Sequence, residues 1–227
     1  MRILDVRLHL GEAAEDATRR FYQDQLGFPK EGRGLGVGHT TLRFDAARGE
    51  EPFYHFALRV PRNRFAAARE WFAARTPLLA DPASGETTFR FENWKADACY
   101  GLDPAGNIVE LIAHGELPEE GSAGPFTSSE LLGICEVGVV GADTRAMANA
   151  LKPLGIHLSD GSLDEPGRLA FMGGRDGVLI LCPEGRGWMP TGRPAELHPV
   201  EVTLAGNRAA EVALPGTQHR IRTLPSG

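Results

Sequence analysis

One arrangement recurs along this chain and restricts its fold more than any other feature: an alternating strand, a helix with an apolar stripe, then short strands. Over Ile3 to Leu10, Leu4, Val6, Leu8 and Leu10 alternate with Asp5, Arg7 and His9. A period of two with one apolar face predicts a half-buried strand. A helix is expected from about Ala13 to Leu26, with Ala17, Phe21 and Leu26 turned inward and Gly27 placed to stop it. A strand follows around His39 to Phe44, with Thr40, Leu42 and Phe44 on its apolar side. The order then recurs: a strand over Tyr54 to Val60, and a helix from about Arg62 to Ala74 with Phe65, Ala68 and Phe72 on one stripe. Three short strands come next, near Thr87–Phe91, Lys95–Gly101 and Asn107–Ala113. The first 115 residues thus contain an internal repeat.

Residues 116–130 are acidic, rich in Gly, Pro and Ser, and without periodicity, the composition of a linker. Beyond them the opening restarts. Ile134 to Val139 mirrors Ile3 to Leu8, and Asp143 is a natural N-cap for a helix carrying Met147, Ala150, Leu151 and Leu154 at helical spacing. Strands are expected near Arg168–Met172 and Val178–Cys182. In the last quarter His198–Leu204 restarts a strand, but only Ala205-Gly206-Asn207-Arg208 separates it from Ala209–Leu214, so a turn replaces the helix. The expected organisation is an N-terminal domain over 1–115, the linker over 116–130, and a degenerate copy over 131–227.

Composition removes several function classes. The net charge of −6 offers no basic stripe to displace counterions from a nucleic acid. No apolar run approaches the roughly 20 residues that span a bilayer, and the N-terminus lacks a signal-peptide pattern, so a cytoplasmic protein is expected. Cys99, Cys135 and Cys182 are odd in number and widely spaced, which suits buried thiols in a reducing compartment better than a disulfide framework.

Two strands carry the chemistry. Phe53-Tyr54-His55-Phe56-Ala57-Leu58 places His55 opposite its apolar side, and Asp103-Pro104-Ala105-Gly106-Asn107 is a tight turn that sets the register of a strand bearing Glu110. An imidazole and a carboxylate from the same face of one curved sheet make half of a divalent-metal site. Arg7, Arg43 and Arg59 share the polar face by strand parity. They are read either as ligands for a substrate carboxylate or phosphate, through charge-assisted contacts, or as solvated edge residues. No Gly-rich phosphate loop, serine-nucleophile elbow or His-Glu-x-x-His helix is present.

The opening strand with Phe21-Tyr22 and Leu26-Gly27-Phe28, the His55 strand, and the turn leading to Glu110 together resemble the vicinal oxygen chelate superfamily. Its members include glyoxalase I, bleomycin-resistance proteins and extradiol ring-cleaving dioxygenases. The resemblance implies an α+β fold, with paired βαβββ modules forming curved mixed sheets and helices on the outer face. It implies one divalent metal ion (Fe, Mn, Ni or Zn) held by Asp5, His55 and Glu110, with Arg7 the rival of Asp5 under a different register. Glu110 doubles as the catalytic carboxylate. Arg7, Arg43, Arg59, Asp97 and Tyr100 are the expected substrate-side residues, Asp97 also being a candidate oxygen ligand. In the second half, Glu136 occupies the position of Asp5 and His198 that of His55. The final strand His219-Arg220-Ile221-Arg222 has no counterpart of Glu110, so that half reads as structural. One His with mainly carboxylates fits isomerase or lyase chemistry on a small substrate with neighbouring oxygens. The two-domain length fits a ring-cleaving dioxygenase, and the bleomycin-resistance branch implies a metal-free binding protein. The expected partner is a small molecule, with neither nucleic acid nor membrane; modules pair within one chain or across a homodimer.

Overall fold

The computed structural model describes residues 1–225. Four modules follow one another. The first comprises β1 (Ile3–Gly11), α1 (Glu15–Arg20), a wide helical turn over Phe21–Gln25, β2 (Lys30–Glu31), β3 (Gly34–Val37) and β4 (Thr40–Ala47). The second comprises β5 (His55–Arg59), α2 (Phe65–Ala73), β6 (Phe89–Phe91), β7 (Ala96–Leu102) and β8 (Ile108–His114). The third comprises β9 (Gly133–Gly141), α3 (Thr144–Leu151), β10 (Leu158–Gly161), β11 (Ala170–Gly174) and β12 (Gly177–Pro183). The fourth has no helix, only β13 (Glu201–Gly206), β14 (Ala210–Ala213) and β15 (Arg220–Pro225). Asp143 caps α3 by accepting from the Ala146 N–H at 2.8 Å. The β2–β3 hairpin is not visible in the hydrophobic pattern, because Gly-rich sequence carries no period.

The strands form two curved mixed sheets. The seven-stranded sheet runs β14-β15-β13-β1-β4-β3-β2 and the eight-stranded sheet β10-β11-β12-β9-β5-β8-β7-β6. The first module therefore joins the fourth, through antiparallel β1·β13, and the second joins the third, through antiparallel β5·β9. Each sheet draws on both halves of the chain, so the segment 116–130 crosses from one sheet-half to another rather than separating two self-contained sheets. That segment is also anchored: Phe126 is buried edge-on against Trp71 at 5.4 Å, and Arg64 pairs with Glu130 at 2.8 Å.

The main core lies on the helix-bearing side of both sheets. Val6, Leu8, Leu42, Phe56, Leu58 and Leu111 meet Tyr22, Phe72, Met147 and Leu151 from the helical segments. The opposite, concave face of the eight-stranded sheet has its own apolar cluster, including Ala57, Tyr100, Ile112, Ile180 and Trp188. The three cysteines are free and buried. Among the described residues no helix is long and apolar enough to cross a membrane.

Candidate metal centre

Three neighbouring strands build the site. β5 lies in the middle, with β8 parallel on one side and β9 antiparallel on the other, and Ala57 stands in register with both Glu110 and Glu136. The smallest chiral side chain thus lies between two carboxylates, leaving the space above it open. His55, two residues before Ala57, projects on the same face because strand side chains alternate.

A buried network fixes this register. Asp103 accepts from the Ala105 and Asn107 N–H groups, each at 2.9 Å, and from the Asn107 side chain at 2.7 Å. Asn107 in turn accepts from the Tyr54 N–H at 2.8 Å, tying the turn before β8 to the start of β5. Gly106 takes φ 80°, where other residues are strained. Tyr22 donates to Asp103 at 2.8 Å and locks the turn to the first module. Burial is the main reason that the Asp103 carboxyl is pushed upward against these stabilising bonds.

Only 6%, 3% and 3% of His55, Glu110 and Glu136 respectively is exposed. His55 Nδ1 lies 3.2 Å from the Ile108 carbonyl oxygen, which can only accept, so the ring proton sits on Nδ1. The lone pair of Nε2 then faces Glu110 Oε2 at 3.4 Å. Two electron-rich atoms at that distance repel unless a proton or a cation lies between them. Glu136 adds a second buried carboxylate whose Oε1 has no hydrogen-bond partner. Burial, and then the neighbouring Glu110 charge, raise its pKa well above the ordinary carboxylate range. Among the described residues, no arginine or lysine pairs with either acid. One donor atom from each of His55, Glu110 and Glu136 lies within 4.8 Å of the others. This donor set, with its orphaned oxygen and opposed lone pair, fits a divalent ion.

Aromatic residues close the surroundings. Trp188, from the loop after β12, has its ring 5.0 Å from that of His55, and Gly138 makes room for it: a Cβ there would lie 2.8 Å from the indole. Tyr100 stands opposite Glu110 in the register and directs its phenol at that carboxylate. Burial, and then the charges of Glu110 and Glu136, push the phenol upward and keep it protonated. A cavity of about 490 Å³ opens over the three donors, walled by Phe91, Trp94, Phe171, Ile180, Trp188 and Met189.

No protein-family model matches this sequence, and no curated protein sequence matches it. Solved structures do match along nearly the whole chain. Glyoxalase I from Zea mays superposes with a TM-score of 0.54 at 14% identity, covering 99% of this chain and 92% of that one. A "putative dioxygenase" from Bacillus subtilis superposes with a TM-score of 0.58 at 14% identity, covering 100% of this chain and 86% of that one. The chain has the vicinal oxygen chelate fold.

Within this vicinal oxygen chelate frame, His55 and Glu110 meet, and the third member of the group is Glu136. Asp5 does not join them. It lies on β1 in the other sheet, ion-paired with Arg43, because the first module pairs with the fourth. Arg7 and Arg43 lie on that other sheet too, Arg7 pairing with Asp45 at 3.6 Å. Arg59 shares the His55 face but is buried and committed to Asp176 and Glu119, at 2.6 and 2.7 Å. Asp97 points away from the site: Ala96, Ala98 and Tyr100 take the concave face of β7, and Asp97 pairs with Arg90 at 2.9 Å. Of the five expected substrate-side residues, Tyr100 alone lines the cavity.

In the sequence Glu136 aligns with Asp5, and nothing local brings it to His55. The usable signal was the restart of the strand pattern at Ile134. Internal register also explains the fourth corner. Glu110 pairs with Ala57, two residues after His55, whereas Ile180 pairs with Gly138, two residues after Glu136. The third-module counterpart of Glu110 is therefore Ile180, which has no donor atom.

Proposed function

We propose that this protein is a metal-dependent enzyme of the isomerase or lyase type, holding one divalent ion through His55, Glu110 and Glu136 and acting on a small substrate with two neighbouring oxygens. The observation that carries the reading is the His55 Nε2 lone pair opposed to Glu110 at 3.4 Å, beside a second carboxylate with an unpartnered oxygen. A bound ion would act as a Lewis acid toward both substrate oxygens.

The chain's own groups supply the rest. Ile108 holds the imidazole with Nε2 facing the cavity. Tyr100, kept protonated by its surroundings, orients Glu110. Glu110 and Glu136 flank Ala57, and without a bound cation burial and the neighbouring Glu110 charge favour the protonated form of Glu136. Over this cavity the Glu110 carboxylate can take a proton from a substrate carbon and return it to the neighbouring carbon. The aromatic wall excludes water from that exchange.

Metal analysis of protein purified without chelator tests the reading. One equivalent that depends on His55 and Glu110 is expected, and it should be lost in His55→Ala and Glu110→Gln. Metal content below stoichiometry and unchanged by both substitutions would leave a metal-free binding protein, for which the same aromatic cavity suits a planar ligand. Oxygen uptake with catechols by the loaded protein would move the chemistry from isomerisation to ring cleavage.

A further inference from the structure

Beside the first donor group, on the same concave face, lies a second one. His114 ends β8 on the Glu110 face, is 1% exposed, and among the described residues has neither ring nitrogen in a hydrogen bond with a side chain. Its ring lies under Trp94, stacked at 5.9 Å and 28°. Cys135 sits at an irregularity in β9. The pairing with β5 steps from Ala57↔Glu136 to Leu58↔Ile134, which leaves Cys135 as an extra residue. A bulge re-aims the side chain it carries. Here it brings the Cys135 thiol into the concave cluster with Ala57, its Sγ 3.7 Å from the Ala57 carbonyl oxygen, instead of into the core behind the sheet. Glu136, the next residue, offers its unpartnered oxygen. One donor atom from each of His114, Cys135 and Glu136 lies within 4.8 Å of the others.

We propose that His114, Cys135 and Glu136 form a second cation position, selective for a thiophilic divalent ion such as Zn²⁺, with Glu136 shared between it and the first position. The shared glutamate is its one link to the function proposed above. Imidazole, thiolate and carboxylate are a ligand set that zinc accepts and that magnesium or calcium does not. Burial, with Arg175 and Arg59 nearby, lowers His114 to about 4, so the ring is neutral and available as a ligand at neutral pH. Thiolate and carboxylate together balance a divalent charge, which offsets the cost of burying it. Binding displaces the Cys135 proton to solvent, with no change of oxidation state. The guanidiniums nearest to His114 are already neutralised, Arg59 by Glu119 and Asp176 and Arg175 by Glu116.

Cobalt distinguishes the two positions, because only the second contains sulfur. Chelator-stripped protein is titrated with Co²⁺ alone, followed by absorbance and by equilibrium dialysis. Two equivalents are expected, one accompanied by a sulfur-to-cobalt charge-transfer band in the near ultraviolet. Cys135→Ser should remove the band and reduce the stoichiometry from two to one, and His114→Gln should do the same if the serine variant does not fold. His55→Ala should keep the band and lose the other equivalent. Circular dichroism and thermal melting report that each variant is folded. One equivalent without a band in the unaltered protein, or a band that survives Cys135→Ser, overturns the proposal. A single equivalent that carries the band and is indifferent to His55→Ala sustains the second position and overturns the first.

Discussion

The two sheets share a plan and differ in what their concave faces hold. Both are centred on an antiparallel pair of first strands, β1·β13 in one and β5·β9 in the other. On the seven-stranded sheet the acids of β1, β4, β13 and β14 on that face meet guanidiniums: Asp5 meets Arg43, Asp45 meets Arg7, and Glu201 and Glu211 meet Arg222. Those side chains remain a quarter to a half exposed. On the eight-stranded sheet Glu110 and Glu136 are buried, among the described residues, without an arginine or lysine partner, and a loop brings Trp188 against His55 beside them. Exposed ion pairs contribute little, whereas buried unpaired charge costs several kcal/mol. The first face is therefore complete as it stands. The second is stable as an apoprotein only by keeping a proton, and it gains from any cation it can bind.

The sharpest way to break this contrast is to remove a donor from the second face. His55→Ala or Glu110→Gln should weaken binding of the first ion by more than about 100-fold, since even residues that only orient a ligand are worth roughly 10- to 100-fold. Activity should fall in parallel. Isothermal titration with Mn²⁺ or Zn²⁺ checks this, and an affinity within a few-fold of the unaltered protein would dissolve the distinction between the faces.

The Asp103 network should give the largest loss of stability. Asp103→Ala removes the acceptor for Tyr22, Asn107 and two backbone N–H groups at once. Buried donors left without partners cost about 1–3 kcal/mol each, with partial relief by water. A net loss of about 3 kcal/mol, or roughly 10 °C in melting temperature for a chain of this size, is expected. Tyr22→Phe removes one bond and should cost about 1 kcal/mol. If Asp103→Ala melts within a degree or two of the unaltered protein, the turn does not hold β5 against β8.

Much of this architecture was legible in the chain, and the limits are physical. The alternation around Val6, His55 and Ile134 marks the first strand of three modules, and the Asp103 turn announces Glu110, because period and turn chemistry are local. Partner choice is not local. Each first strand offers the same apolar side, so the alternation at β5 does not distinguish β1 from β9 as its neighbour. The expectation that Asp5 would join His55 failed at this point, since Asp5 and His55 are assigned to different sheets by long-range pairing alone. Trp188 was beyond reach for a related reason. It arrives on a loop whose position depends on Gly138, a residue with no signal of its own.

A pH series sharpens the comparison from the seven-stranded side. His219, fully buried, accepts from the Val200 N–H through Nδ1 at 3.1 Å and donates from Nε2 to the Val140 carbonyl at 2.7 Å, so it links the two sheets. Burial lowers its pKa below that of the unfolded chain, with the Val140 bond opposing the shift. The unfolded state therefore binds the proton first. The His219 contribution is fully present above about pH 6.5 and is lost as pH falls toward the folded value, at no more than about 1.4 kcal/mol per pH unit. His39 and His114 are lowered in the same sense. Between pH 7 and 5, His219→Gln should therefore flatten the acid limb of the melting temperature without abolishing it. An unchanged slope would show that the ring titrates freely in the folded protein.

The smallest expected effect tests the other half of the contrast. Asp5 and Arg43 stand in the face that has its full set of counter-charges, with their side chains 25% and 30% exposed. Asp5→Asn keeps the shape and removes the charge, so the loss of stability should stay below about 1 kcal/mol. Metal stoichiometry should be unchanged, because Asp5 and the donor group belong to different sheets. Arg43 is left with one uncompensated charge near the surface, which added salt screens, so the difference from the unaltered protein should shrink further as ionic strength rises. If Asp5→Asn instead lowered the bound metal by an equivalent, the modules would pair in solution as first with second, and the partition between a neutralised face and a donor face would have to be redrawn.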